Sequence, residues 1–357
     1  MATTRPNIEK VKPSQLKKHL EVALLTLAEE NPLVIMVWGE PGLGKSAIVR
    51  QVAEDNGLEF RSVIGSLMEP SDLMGIPSVE NGVTSWNPPA FFPRESSSRG
   101  IMFLDEATTC RPDVQAAMLG LVYGRKLGEY RLPDGWLIVM AGNGYADRAM
   151  VNKFSSATNN RVTHAELIPD VDDWCRWAVP NGVAPEVIAW VRFRPGLLHR
   201  FDADANPHAW PSCRSNHQLS TVLKHTPDEP GEGGNRATLR SLICATIGEG
   251  PGSEFMGFLD VWKALPRFDR IVKDPHTTPT PDPSRADVCW ATASMCSRLA
   301  TVENLSAVWA YVKRFPSREF QVVWGRDLVA RSPELAETPA YIDWAVQHQD
   351  AHVGYGG

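Results

Sequence analysis

Eight consecutive residues, Gly39-Glu40-Pro41-Gly42-Leu43-Gly44-Lys45-Ser46, match the pattern GxxxxGK[ST] in full. Glycines let a backbone curl until its N–H groups face a phosphate, and a helix beginning there adds positive potential. Lys45 is placed to reach the β- and γ-phosphates of a nucleotide, and the Ser46 hydroxyl is a ligand for Mg²⁺. With Ala47 opening the helix behind them, these residues form the candidate nucleotide cradle. A second group follows sixty positions after Lys45, where the apolar run Ile101-Met102-Phe103-Leu104 ends in Asp105-Glu106. Asp105 suits a Mg²⁺ held through water, and Glu106 suits a base that polarises an attacking water. Asn143 ends a third apolar run, in LIVMAGNGYADR. There it can orient the same water or touch the γ-phosphate. Asn-Gly is also an ordinary turn pair, and the two earlier motifs favour the chemical role.

These groups need a scaffold, and the chain supplies its signals. Leu16, Leu20, Leu24 and Leu27 repeat at helical spacing, predicting a helix over 14–30 with Ser14 as its N-cap. Leu33–Trp38 reads as a buried parallel strand, followed by a helix over about 45–54. Further strands are predicted at 58–64, 101–104, 136–141 and 163–167, with a helix at about 112–123. Strands alternating with helices imply a parallel sheet covered on both faces. Asn81-Gly82 between short β-like runs signals a hairpin over 76–86, and 125–135 reads as another. Beyond about 168 helical patterns dominate. The Pro/Gly-rich stretches 225–236 and 273–284 divide that half into a region of about 80 residues and a further stretch of about 100.

Composition narrows the classes. The 357 residues are 43% hydrophobic and 22% charged, ordinary for two or three globular domains. A formal net charge of −6 disfavours coating nucleic acid through bulk charge. No run of 18 apolar residues is present, so no membrane span is expected, and the N-terminus lacks the apolar core of a secretory signal. Six cysteines without a CxxC pair fit a reducing, cytoplasmic setting. The histidines show no metal spacing. Trp174, Trp177 and Trp190 fall in helical patterns and read as core, as do Cys289 and Cys296, seven apart. Phe91-Phe92 reads equally as a pore lining or as buried packing.

Strand, P-loop, acidic strand end and Asn-tipped strand, in this order, resemble the AAA+ ATPases. Ser71–Pro77 with the hairpin after it, and the hairpin before the 136–141 strand, resemble the inserts of the MoxR-type, dynein-related branch. Asn160-Arg161-Val162 resembles that family's (D/N)RF box, with Val for Phe. Pro211-Ser212-Cys213-Arg214 resembles its SPR box, with Cys213 for Pro. The resemblance covers residues 13–225. It implies a P-loop NTPase AAA+ module of α/β fold over 1–168, a helical lid over 169–248 and a helical C-terminal extension over 249–357. By the same resemblance, Arg161 matches an arginine finger acting on a neighbouring subunit, with Arg148 as its competitor or a second contact in trans, and Arg214 matches a lid contact to nucleotide.

The implied function is ATP hydrolysis, with Mg²⁺, driving remodelling of a protein partner. A homo-oligomeric, hexameric ring and a partner with a von Willebrand factor A-type domain are further implications of the family. A nucleic-acid motor or loader on the same fold stays open, although no basic, aromatic-interleaved element speaks for it. So does a nucleotide-binding assembly switch with little turnover, against which the intact Asp105-Glu106 pair argues. A small-molecule kinase is the weakest alternative, because it leaves the arginines without a role.

Overall fold

The computed structural model describes residues 8–143, 154–202, 208–226 and 236–349. The chain divides into two compact units, Met1–Pro169 and Asp170–Gly357. In the first unit the elements run β1 (Lys10–Val11), α1 (Pro13–Leu25), β2 (Ile35–Trp38), α2 (Lys45–Asp55), β3 (Glu59–Ile64), α3 (Pro70–Met74), β4 (Ile76–Glu80) and β5 (Val83–Asn87). They continue with β6 (Gly100–Asp105), α4 (Pro112–Gly124), β7 (Lys126–Leu127), β8 (Tyr130–Arg131), β9 (Trp136–Gly142), α5 (Ser156–Asn159) and β10 (Thr163–Leu167).

Six strands form one parallel sheet in the order β1-β10-β2-β9-β6-β3. The central strands are apolar throughout because both of their faces are covered. Met36, Trp38, Met102, Leu104, Ile138 and Met140 alternate onto one face, where they share a core with Val114, Met118 and Leu121 of α4. The intervening residues, among them Val37, Phe103 and Val139, are buried as well, and α2 packs on β3, β6 and β9. The predicted strands stand within two residues of their expected bounds; β1, too short to carry a pattern, is additional. Helix α1 differs at its start: Lys12 is the N-cap and Pro13 takes the first helical position, so Ser14 lies inside the helix. Proline's fixed φ and missing N–H suit that position.

The first hairpin is β4–β5, antiparallel about the two-residue loop Asn81-Gly82. Both loop residues have positive φ, 52° and 76°, as a type I′ turn requires. The second is shorter than expected, pairing only Lys126-Leu127 with Tyr130-Arg131.

The second unit is helical: α6 (Val171–Ala178), α7 (Pro185–Phe193), α8 (Cys213–His225), α9 (Arg236–Ile247), α10 (Glu249–Lys263), α11 (Phe268–Lys273), α12 (Ala286–Leu299), α13 (Leu305–Val312), α14 (Arg318–Arg331) and α15 (Pro339–Gln347). Its buried side chains form one continuous cluster from Trp174 in α6 to Trp344 in α15. The expected border at 248 is therefore a turn within a shared core, where Gly248 joins α9 to α10 with φ 89°. Trp174, Trp190, Cys289 and Cys296 are buried, and Trp177 is packed against them. At the centre Arg192 of α7 makes a two-pronged pair with Asp327 of α14, at 2.5 and 2.7 Å.

Candidate functional site

Parallel strands deliver their C-terminal ends to one edge of a sheet, and three neighbours, β2, β9 and β6, do so here. Trp38 is in register with Gly142, and Leu104 with Met140. Gly39, Asn143 and the Asp105-Glu106 pair consequently leave the sheet side by side. This is the edge at which open α/β sheets bind ligands.

The loop after β2 is shaped by its glycines. Gly42 and Gly44 hold φ of 86° and 94°, values that side chains disfavour. A Cβ on Gly39 would stand 3.1 Å from Leu43 Cδ1 and 3.2 Å from the Leu167 carbonyl. Leu43 is buried beneath the loop; Glu40, Pro41, Lys45 and Ser46 are half-buried, and Ala47 is exposed. Helix α2 starts at Lys45 with Gly44 as its N-cap, so its first free N–H groups face the loop. The Lys45 ammonium donates to the carbonyls of Gly39 (2.7 Å) and Glu40 (3.2 Å), placing a positive charge over the cradle. Ring, helix end and ammonium together fit a phosphate chain.

At the end of β6, Asp105 is half-buried and its Oδ1 accepts from the Glu106 N–H at 2.9 Å. Glu106 has φ 55°, a left-handed value uncommon for a side chain of this size. Carbonyl and amide bonds hold that turn: Ala107 donates to Ala141 O at 2.9 Å, and Cys110 to Glu106 O at 3.2 Å. Gln115 Nε2 adds a bond to Ala107 O at 2.9 Å. The Glu106 carboxylate accepts a hydrogen bond from Ser66 Oγ, in the turn following β3. Burial pushes the nearby Cys110 thiol up to about 11. The Ser46 hydroxyl and the Asp105 carboxylate are hard oxygen donors on one edge, the set that suits Mg²⁺, which keeps several of its waters.

Asn143 is half-buried, directly beyond β9. Its position depends on Gly142, where a Cβ would meet Thr108 Oγ1 at 2.6 Å. Arg148 lies outside the described residues.

Arg161 is not at this edge. It precedes β10, whose Thr163 is in register with Ile35 at the opposite end of β2. Three residues separate Ile35 from Trp38, about 10 Å of strand, and Arg161 lies two residues further back. Standard bond lengths put an arginine guanidinium roughly 6–7 Å from its Cα, short of the cradle. Its guanidinium instead lies over the Tyr123 ring, 4.7 Å from the centroid, and Nη1 donates to Ala157 O at 3.3 Å. Val162 is buried, filling the apolar place in its box. Arg214 is exposed in the first turn of α8, where Ser212 caps the helix and no acidic residue stands. Phe92 is buried and stacks on Tyr130 at 4.7 Å, so the Phe91-Phe92 pair is packing. Sequence reasoning missed Ser66 and Tyr123. Ser66 carried a signal, standing just past a predicted strand; Tyr123 looked like any aromatic near a helix end.

Residues 34–165 match the family described as AAA domain, dynein-related subfamily. A search of curated proteins gives no match. Among solved structures, a RuvB of Thermotoga maritima is similar at 17% identity and a TM-score of 0.37, over 76% of this chain and 79% of that one. NtrX of Brucella abortus is similar at 13% identity and a TM-score of 0.36, over 95% of this chain and 72% of that one. Likenesses so distant say nothing of substrate. The family match and the site agree on a P-loop, AAA+-type fold that hydrolyses ATP in the α/β unit.

Proposed function

We propose that this AAA+ ATPase works as a MoxR-type remodelling machine, hydrolysing ATP in a ring of identical subunits to do work on a protein partner. The observation that carries the reading is the division of the site across the sheet. The cradle, Asp105, Glu106 and Asn143 share one edge, while Arg161 stands at the other and cannot reach its own cradle. An arginine finger in that position serves a neighbour's nucleotide, which requires assembly.

Residues 39–47 bind the triphosphate, with backbone N–H groups and Lys45 neutralising its charge. Ser46 and Asp105 would hold a Mg²⁺ ion, which would draw charge from the phosphates. Glu106 accepts a proton from the attacking water as its oxygen bonds to the γ-phosphorus and the bond to the bridging oxygen breaks. Asn143 orients that water. Arg161 of a neighbour stabilises charge on the departing phosphoryl group. Arg214 is exposed in the first turn of α8; a cation at a helix N-terminus is disfavoured, so the fold itself does not call for it. A protein partner is favoured over nucleic acid by the net charge of −6 and by the apolar side chains of the insert. Ile76, Val79 and Val83 there, and Leu67 just before it, are all more than 60% exposed.

Glu106→Gln tests the scheme. It keeps the side chain's shape and should leave ATP bound while hydrolysis falls by about 10² or more. Wild-type turnover would move the base elsewhere. Stimulation of wild-type turnover by DNA or RNA, with none by proteins retained on the Glu106→Gln ring, would replace the partner class.

A further inference from the structure

The environment of Arg161 is more built than a surface arginine needs. Tyr123 stands in the last turn of α4 and keeps 45% of its surface exposed. Its hydroxyl shares a hydrogen bond with Thr158 Oγ1, which is fully buried and also bonded to Ser155 Oγ at 3.0 Å. Ser155 caps α5 by accepting from the Thr158 N–H at 3.2 Å. The Arg161 N–H donates in turn to Thr158 O at 2.9 Å. One hydroxyl chain thus fixes the backbone that carries Arg161 and the ring on which its guanidinium lies, 4.7 Å from the centroid. Apart from the Nη1 donation to Ala157 O at 3.3 Å, a ring face leaves the N–H edges of the guanidinium to a charged acceptor, whereas a carboxylate partner would occupy them. Among the described residues no carboxylate pairs with Arg161.

We infer that Tyr123 is a positioning residue for Arg161. It holds the guanidinium in place without a carboxylate partner, so that the finger meets the neighbouring subunit's nucleotide already ordered. This rests on the reading of Arg161 as a finger acting in trans. The benefit is entropic: an exposed arginine loses rotamer freedom when it engages a phosphate, and a pre-seated one has lost it beforehand.

The test is steady-state hydrolysis by the full chain, with ATP affinity measured separately. Tyr123→Ala should lower kcat about tenfold with ATP affinity within about twofold, since the seat acts only where the finger acts. Tyr123→Phe keeps the ring face and should retain most turnover. Tyr123→Leu fills the space without a π face and should behave as Tyr123→Ala does, which covers the case of a poorly folding alanine variant. Arg161→Ala/Tyr123→Ala should be no slower than Arg161→Ala alone, because both changes remove one interaction. Mixed with Lys45→Ala subunits, which keep an intact finger, Tyr123→Ala pockets should regain activity. Wild-type turnover in both Tyr123→Ala and Tyr123→Leu overturns the inference. So does a Phe variant as slow as the alanine one, an additive double mutant, or a failure of rescue in mixed rings. If Arg161→Ala itself hydrolyses ATP normally, the finger reading fails first and the inference falls with it.

Discussion

Gly142→Ala perturbs the site through a single methyl group. A Cβ there would stand 2.6 Å from Thr108 Oγ1, 2.7 Å from Thr108 Cγ2 and 2.9 Å from Met36 Cε. Met36 Cε is the end of a flexible side chain and can turn aside. Thr108 is fully buried on the turn that follows Glu106 and is stiff at χ1, so it cannot. Overpacking of this kind costs about 1–3 kcal/mol. The remedy is equally specific, because Thr108→Ala deletes both of the closest atoms. Thr108 Oγ1 has no hydrogen-bond partner among the described residues, so its loss sacrifices no bond. The lost methyl costs about 1 kcal/mol. The double variant should then be no less stable than Thr108→Ala, a favourable coupling of about 1–3 kcal/mol. Urea unfolding reads the energies directly. Turnover reads the site: Asn143 follows Gly142, so Gly142→Ala should slow hydrolysis more than it weakens ATP binding, and Thr108→Ala should restore part of the rate. A loss below about 0.5 kcal/mol in Gly142→Ala, the range of neutral substitutions, or a double variant less stable than either single one, would refute the packing argument.

Lys45→Ala removes the charge over the cradle and should weaken ATP binding by at least about tenfold, read by calorimetry; unchanged affinity would sink the cradle assignment. Arg161→Ala should bind ATP nearly normally and hydrolyse it about 10²–10³ times more slowly. Mixing it with Lys45→Ala should restore activity where a good pocket meets a good finger, and mixed rings without restored turnover would place Arg161 in a structural role. Asp327→Ala leaves Arg192 buried and unpaired and should cost about 3–5 kcal/mol in chemical denaturation, while Arg192→Met with Asp327→Leu should cost far less.

The α/β unit was legible because its signals are local. Leu33–Trp38 is apolar without interruption because β2 is covered on both faces, and Asn81-Gly82 marks its turn by the backbone angles it alone tolerates well. The cradle was legible for the same reason, since GxxxxGK[ST] encodes a backbone shape. What escaped depends on contacts between distant positions. Ser66 meets Glu106 because β3 pairs with β6, with Ile64 in register with Asp105, and pairing order is not written in either strand. Arg161 showed its box but not its seat, because Tyr123 reaches it from 38 positions away, across the end of α4. In the helical unit the buried Arg192–Asp327 pair spans 135 positions, so the stretches on either side of 248 looked separable in sequence although they share a core.

Several departures from local rules in the first unit lie at the edge of the sheet that carries the candidate site. Strand β6 obeys its apolar pattern to Leu104 and then places Glu106 at φ 55°, a conformation that costs about 1–3 kcal/mol for such a residue. A turn with only a connecting role would take glycine or asparagine there, as the β4–β5 turn does with Asn81-Gly82. Gly142 is pressed against a buried threonine whose hydroxyl has no partner among the described residues, and Gly65 against Cys110 and Met118, where a Cβ would stand 3.0 and 2.9 Å away. Gly42 and Gly44 hold left-handed angles within eight residues of β2. The opposite edge is tight as well: Arg125 ends α4 at φ 53°, and a Cβ on Gly100 would stand 2.6 Å from the Glu59 carbonyl and from the Trp136 ring. There Arg125 serves the fold, donating to the carbonyls of Pro133 and Trp136 at 2.7 Å each. The turn at Glu106, by contrast, is not what the sheet needs for its own stability, since the apolar interior of β2, β6 and β9 is buried on both faces. It is what is needed to bring a carboxylate, an amide and a ring of N–H groups to one place and keep them there, against the pull of each segment toward its relaxed conformation.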